Sequence, residues 1–289
     1  MSRVNFCILF FLFIISCDDI KDGFIKTKSF EIEFKELSNS GAVVKQNHYI
    51  NLFISASDLN DSIVFSSYNH GLNGVSTFLY DSLLYNSIYS EIFNNIEIGD
   101  SVVFSTDFNL FLKSFFKYDN YTKSSIYNQV KINLKLISCL EKNSQNDYNK
   151  KLTIEAIEKE KNKVNNEKKN WDLNYDDVDI VNSIYTRLIT KNTYNYVNND
   201  SAKGYYVIDY NLMDLDGRLI FSTDPNQPHY FQKNKQGQLL KGFNFLLKKY
   251  SSGDSVHAIL PSNLAFNEKG AFVAKIPPFT PLLIKLRIR

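Results

Sequence analysis

Hydrophobic and polar positions alternate with the period of β-strands in two separated regions of the chain. From residue 30, Phe30, Ile32 and Phe34 fall on one side and Glu31, Glu33 and Lys35 on the other, the spacing of a half-buried strand. Strand-like runs follow at 49–56, 63–67, 101–106 and 130–137, with Asn60-Asp61 and Gly99-Asp100 supplying turns between them. Leu83, Leu84, Ile88, Ile92 and Ile96 lie in the gap before 101–106, spaced to cover one side of a single predicted helix.

The stretch 146–192 reads differently. Residues 150–170 are dominated by Lys, Glu and Asn around a thin apolar stripe at Ile157, Val164 and Trp171, the pattern of a solvated helix. A second helix is predicted after it, with Asp176 and Asp177 at its acidic start, Arg187 and Lys191 near its basic end, and Val181, Ile184, Tyr185 and Leu188 on one face. The pair reads as a helical spacer between domains, since the heptad positions are too few for a coiled-coil dimer.

After Lys203-Gly204 the strand signals return at 205–212, 218–222, 255–260 and 282–288, with one helix predicted over 238–250. Its Leu239, Leu240, Phe243, Leu246, Leu247 and Tyr250 share a face. The order of elements at the end of the chain thus repeats the order at the start. Residues 49–66 align with 206–222, and Ile98-Gly99-Asp100-Ser101-Val102 aligns with Ser252-Gly253-Asp254-Ser255-Val256, so two copies of one fold are expected.

The N-terminus changes the expected location. Arg3 precedes an apolar run over 4–15, too short to span a bilayer and built like a secretory signal. Ile14-Ile15-Ser16-Cys17 resembles the lipobox of bacterial lipoproteins, which implies that Cys17 becomes the acylated first residue of the mature protein. Several acyl chains, at about 0.8 kcal/mol per buried methylene, would hold the domains at a membrane surface. Cys139 is then the only thiol left, so no intramolecular disulfide is expected and stability must come from packing. A formal net charge of +2 on 289 residues argues against a nucleic-acid partner.

The familiar catalytic devices are missing. His48, His70, His229 and His257 are scattered without metal-ligand spacing and read as surface or turn residues, and there is no nucleophile elbow or phosphate loop. Asp61, Asp100, Asp216 and Asp254 read as turn residues. What stands out is a succession of landmarks near the C-terminus: Tyr206-Val207-Ile208-Asp209-Tyr210, Asp216-Gly217-Arg218-Leu219-Ile220-Phe221-Ser222-Thr223, Leu239-Leu240-Lys241-Gly242-Phe243, Gly253-Asp254, Leu260-Pro261-Ser262-Asn263-Leu264-Ala265-Phe266, and Ile276-Pro277-Pro278 before Leu282-Leu283-Ile284. Together they resemble the FKBP-type peptidyl-prolyl cis-trans isomerases.

The resemblance implies an α+β fold, an antiparallel β-sheet wrapped around a short α-helix, here in two copies joined by the helical spacer. The expected organisation is a signal peptide at 1–16, a lipidated tether at 17–29, a degenerate FKBP-like domain at 30–145, the spacer at 146–198 and the isomerase domain at 199–289. Carried over from the family, the catalytic pocket falls on Tyr210, Phe221, Phe243 and Phe266. Substrate contacts fall on Leu239, Leu240, Ile276, Ile284 and one of Tyr230 and Phe231, between which spacing does not decide. No metal or cofactor is implied, because rotation about an X-Pro amide needs only a way over a barrier of about 18–20 kcal/mol.

Departures from the family pattern matter as much. Ser222 stands where an aspartate is common, Phe266-Asn267 where a Tyr-Gly is common, Phe243 in place of a tryptophan and Ile284 in place of a phenylalanine. Phe266 lacks the hydroxyl that donates to a bound peptide carbonyl, worth about 0.5–1.5 kcal/mol net. The resemblance therefore implies a membrane-anchored isomerase in the cell envelope, acting on proline-containing segments of exported proteins. The alternative is a non-catalytic FKBP-like peptide-binding or chaperone module in an envelope assembly. The N-terminal copy is expected to carry no working site.

Overall fold

Residues 23–116, 129–191, 204–224 and 226–289 are described by a computed structural model of the chain. Cys17 and the rest of the expected signal lie outside the described residues, whereas the described part begins almost directly with a strand. Phe24–Lys26 forms strand β1, paired antiparallel with β2 (Glu31–Glu36), so the expected tether at 17–29 gives way to sheet at its C-terminal end. The strand run continues through β3 (Tyr49–Ser57), β4 (Ile63–Ser66), β5 (Ser76–Leu79), β6 (Ser101–Asp107) and β7 (Gln129–Leu140).

The single helix expected across 83–96 is two short ones, α1 (Ser82–Tyr85) and α2 (Ser90–Phe93). Ser87 explains the break: its hydroxyl donates to the Leu84 carbonyl at 2.6 Å, a local bond that competes with helix continuation. A nine-residue helix, α3 (Phe108–Phe116), follows β6 and buries Phe108, Phe111, Leu112 and Phe115.

Helix α4 (Lys142–Asn174) has 33 residues and so is about 50 Å long. It does more than space the domains. Near its start Gln145 exchanges hydrogen bonds with Asn51 of β3 (2.7 and 3.1 Å), both side chains being buried. Near its end Val164 and Trp171 pack with Tyr185 and Ile259 of the second sheet, while Ile157 of the expected stripe stays exposed.

The second helix expected after Asp176 is not formed. Val178–Val181 (β8) and Ile184–Thr190 (β9) make an antiparallel hairpin turned by Asn182 and Ser183, both at positive φ (48° and 67°). The hairpin joins the C-terminal sheet, so that sheet begins well before residue 199. Strands β10 (Tyr205–Asp214), β11 (Leu219–Ser222), β12 (His229–Gln232), β13 (Ser255–Leu260) and β14 (Leu282–Ile288) complete it, with α5 (Lys241–Lys249) packed through Phe243, Leu246 and Leu247 on its core face. Gly242 permits that approach, since a Cβ there would lie 2.2 Å from Leu260 Cδ2.

Among the described residues the two sheets have one topology. The first runs β1-β2-β6-β7-β3-β4 with β5 beside β3; the second runs β8-β9-β13-β14-β10-β11 with β12 beside β10. The repeat reaches single hydrogen bonds. Asp58 Oδ1 accepts from the amides of Asn60 and Ser62, as Asp214 Oδ1 does from those of Asp216 and Arg218. Asp100 Oδ2 accepts from the Glu97 amide at 2.7 Å, and Asp254 Oδ2 from the Ser251 amide at 2.9 Å. These aspartates build turns that close equivalent strands, which is why the sequence repeats there and diverges elsewhere.

Candidate active site

In the second sheet the expected pocket aromatics come from three neighbouring elements. Tyr210 of β10 lies 5.1 Å from Phe221 of β11 and, edge-on, 4.9 Å from Phe243 of α5, measured between ring centroids. The position of Tyr210 follows from the ladder: its amide donates to Thr223 Oγ1 at 2.9 Å and its carbonyl accepts from the Thr223 amide at 3.0 Å. Burial holds the Tyr210 phenol protonated by pushing its pKa up. Phe243 is buried, whereas Phe221 keeps 37% of its surface exposed and forms the open edge of the cluster.

Strand alternation separates the two aromatics that spacing left undecided. On β12 His229 and Phe231 turn inward while Tyr230 is 65% exposed. Phe231 packs against the core around Phe243, and His229 sits 5.7 Å from Tyr210, 5.4 Å from Phe221 and 6.0 Å from Phe231. His229 reads from sequence as a surface or turn residue; it is instead on a strand and forms the fourth ring of the cluster. Period-two alternation through His229-Tyr230-Phe231 is the signal that could have found it.

The remaining expected residues divide. Leu239, Leu240 and Phe266 pack half-buried around the same core, Phe266 without a ring contact to the Tyr210 cluster among the described residues. Ile284 is fully buried on β14 between Leu212 and Ala258, so it supports the wall from behind and offers no surface to a ligand. Ile276 is also buried, with its backbone bonded both ways to Ala271. Ser222, at the common aspartate position, donates to Asn211 Oδ1 at 2.7 Å.

The first sheet shows the same topology with the counterpart of the Phe221 edge covered. By strand register, Ile54, Phe65, Ser76 and Phe78 occupy the places of Tyr210, Phe221, His229 and Phe231. Helix α3 fills the space before them: Phe116 lies 4.8 Å from Phe65 and 5.3 Å from Phe78, and Phe115 lies 5.2 Å from Phe78. Phe65 is left 3% exposed against 37% for Phe221. The counterpart of the Phe221 edge is therefore closed, and the cavity of this unit lies instead beside Phe78 and Phe115, between β5, α1 and α3.

Residues 198–288 match the FKBP-type peptidyl-prolyl cis-trans isomerase family. That segment, which holds the Tyr210 cluster, is an FKBP-type peptidyl-prolyl cis-trans isomerase domain, and the first sheet repeats its topology as a second FKBP-like unit. No curated protein matches the chain in sequence.

Among solved structures, a peptidyl-prolyl cis-trans isomerase of Pseudomonas syringae pv. tomato is 23% identical, covering 47% of this chain and 92% of its own at a TM-score of 0.38. The three FKBP domains of wheat FKBP73 are 10% identical over 90% of this chain and 93% of theirs, TM-score 0.33. The N-terminal domain of FKBP42 from Arabidopsis thaliana is 15% identical over 39% and 91%, TM-score 0.35. At such scores the likenesses add nothing to what the family match and the geometry already carry.

One titratable group sits where the two units meet. The His70 ring stacks on Phe65 at 4.9 Å and on Phe272, from the second unit, at 4.2 Å. Burial, with Lys275 and Arg218 nearby, pushes its pKa from 6.5 down to about 4. Between those values the unfolded chain takes up a proton that folded His70 refuses. The stabilisation is therefore full above pH 6.5 and falls away as pH drops toward about 4. Urea midpoints measured at pH 7 and pH 4.5 are expected to differ more for the parent than for His70→Gln; equal differences would contradict this assignment.

Proposed function

We propose that the chain is an isomerase of X-Pro bonds in exported proteins, held at a bacterial membrane by lipid on Cys17 and working in the cell envelope. The observation that carries the reading is the Tyr210, Phe221, His229 and Phe243 cluster, open at Phe221, within the segment that matches the isomerase family. A prolyl ring entering beside Phe221 exchanges water for aromatic walls. Its amide then loses the solvent hydrogen bonds that favour the planar, charge-separated form, and rotation becomes easier. The protonated Tyr210 hydroxyl is a donor at the same wall for a peptide carbonyl.

Two features favour a second reading, a peptide-binding module that does not catalyse: Ser222 is engaged by Asn211, and Phe266 carries no hydroxyl. The two readings part in one experiment. The full chain, mixed at micromolar concentration with a proline tetrapeptide in a protease-free assay, is expected to speed cis-trans exchange. Peptide binding without acceleration would replace the first reading by the second. For the anchor, Cys17→Ser is expected to move the protein out of the membrane fraction; a variant that stays there would remove the lipid attachment.

A further inference from the structure

The connection between β13 and β14, which carries Phe266, is held from three sides. Within its own unit, Arg218 Nη2 donates to the Lys275 carbonyl at 3.0 Å, and Ala271 and Ile276 exchange backbone bonds of 2.8 and 3.0 Å. Gly270 allows the chain to fold back on itself there, since a Cβ would stand 2.3 Å from the Ile276 carbonyl oxygen. From α4, Glu160 accepts from both the amide and the hydroxyl of buried Ser262, at 2.5 and 2.7 Å. The third hold reaches the other unit. Phe272 lies 4.2 Å from His70, 6.0 Å from Phe116 and 6.4 Å from Phe65, packed against the core of the first sheet.

Phe65 is the register counterpart of Phe221. The active-site loop of one copy therefore inserts a ring against the very position that forms the open wall in the other. Among the described residues of this loop, Phe272 is the one that packs against that core: Val273 beside it is 91% exposed, and Ala274 and Lys275 are exposed as well. We propose that Phe272 is a positioning residue, and that the N-terminal unit serves as a receptor that fixes the loop bearing Phe266 before substrate arrives. The inference rests on the isomerase reading for its catalytic consequence, though not for the anchoring itself. A loop left free would have to be ordered on substrate binding, and that entropy would appear in the substrate affinity.

The test uses the full chain and its Phe272→Ala and Phe272→Leu variants. In Phe272→Ala, amide hydrogen exchange at Ala271, Ile276 and Phe279 is expected to rise about tenfold or more, with β10 and β14 amides unchanged. Phe272→Leu is expected to restore most of the protection. Unchanged exchange at those three amides overturns the anchoring. In the isomerisation assay KM for a proline tetrapeptide is expected to rise about threefold to tenfold in Phe272→Ala while kcat stays within about twofold. A freed loop with an unaltered KM overturns the positioning role. If the parent accelerates nothing, the isomerase reading fails, and peptide affinity takes the place of KM in the same comparison.

Discussion

Phe221→Ala is expected to lower kcat/KM for a proline peptide by about 10–100-fold while leaving the protein folded. The magnitude follows from what the ring contributes. Closing an aromatic side chain away from water is worth about 1.5–3 kcal/mol, and each 1.36 kcal/mol lost from the transition state is a factor of about ten in rate. In the free protein Phe221 stands 37% exposed at the edge of the cluster, and it is this part, together with the prolyl surface laid on it, that substrate binding takes out of water. The thermal stability of the variant should therefore fall by less than truncation of a fully buried ring would cost. A kcat/KM within twofold of the parent would show that prolyl rings do not bind at this wall.

Phe243→Ala is expected to fail in the opposite way, through the fold. The ring is 3% exposed on α5, meets Tyr210 edge-on at 4.9 Å, and packs in one core with Leu246, Leu260 and Leu282. Phe→Ala changes at such sites cost about 3–5 kcal/mol through lost transfer energy and the cavity left behind. Against a total stability of about 5–15 kcal/mol, that is a large part of what holds a domain. Denaturant titration should show the loss in the unit containing α5. A stability loss below about 1 kcal/mol would mean that the core relaxes around the gap, contrary to the packing described.

The contrast between these two positions was partly readable in the sequence. Both fell on family landmarks, and the order of landmarks was enough to bring Tyr210, Phe221 and Phe243 together. Exposure was not readable, because it depends on which element covers each ring. The same limit explains the hairpin read as a helix. Ile184 of β9 faces the core beneath α5, while Tyr185, the next residue, faces Val164 and Trp171 of α4. A strand covered on both sides loses the alternation that marks strands, and Val181, Ile184, Tyr185 and Leu188 fall by chance at helical spacing.

Helix α3 escaped notice for a related reason. Phenylalanine is an indifferent helix former, and the segment is helical because Phe108, Phe111, Leu112 and Phe115 find a core to enter. The internal repeat was legible because its Asp turns are local. Asp100 and Asp254 satisfy backbone amides three residues away, a requirement written in a few adjacent positions. The meeting of Phe272 with Phe65 and His70 joins residues some two hundred positions apart, and no short-range pattern could encode it.

Trp171, the single tryptophan of the chain, is 5% exposed where α4 meets Tyr185 and Ile259. Its indole nitrogen donates to Glu167 at 2.8 Å. The protein thus carries an intrinsic fluorophore at the seam between the long helix and the second sheet, in a cluster separate from the core that holds Phe243. Its emission reports undocking of that helix from the sheet, and Phe221 and Phe272 variants can be screened for a displaced helix optically, before any kinetics are attempted.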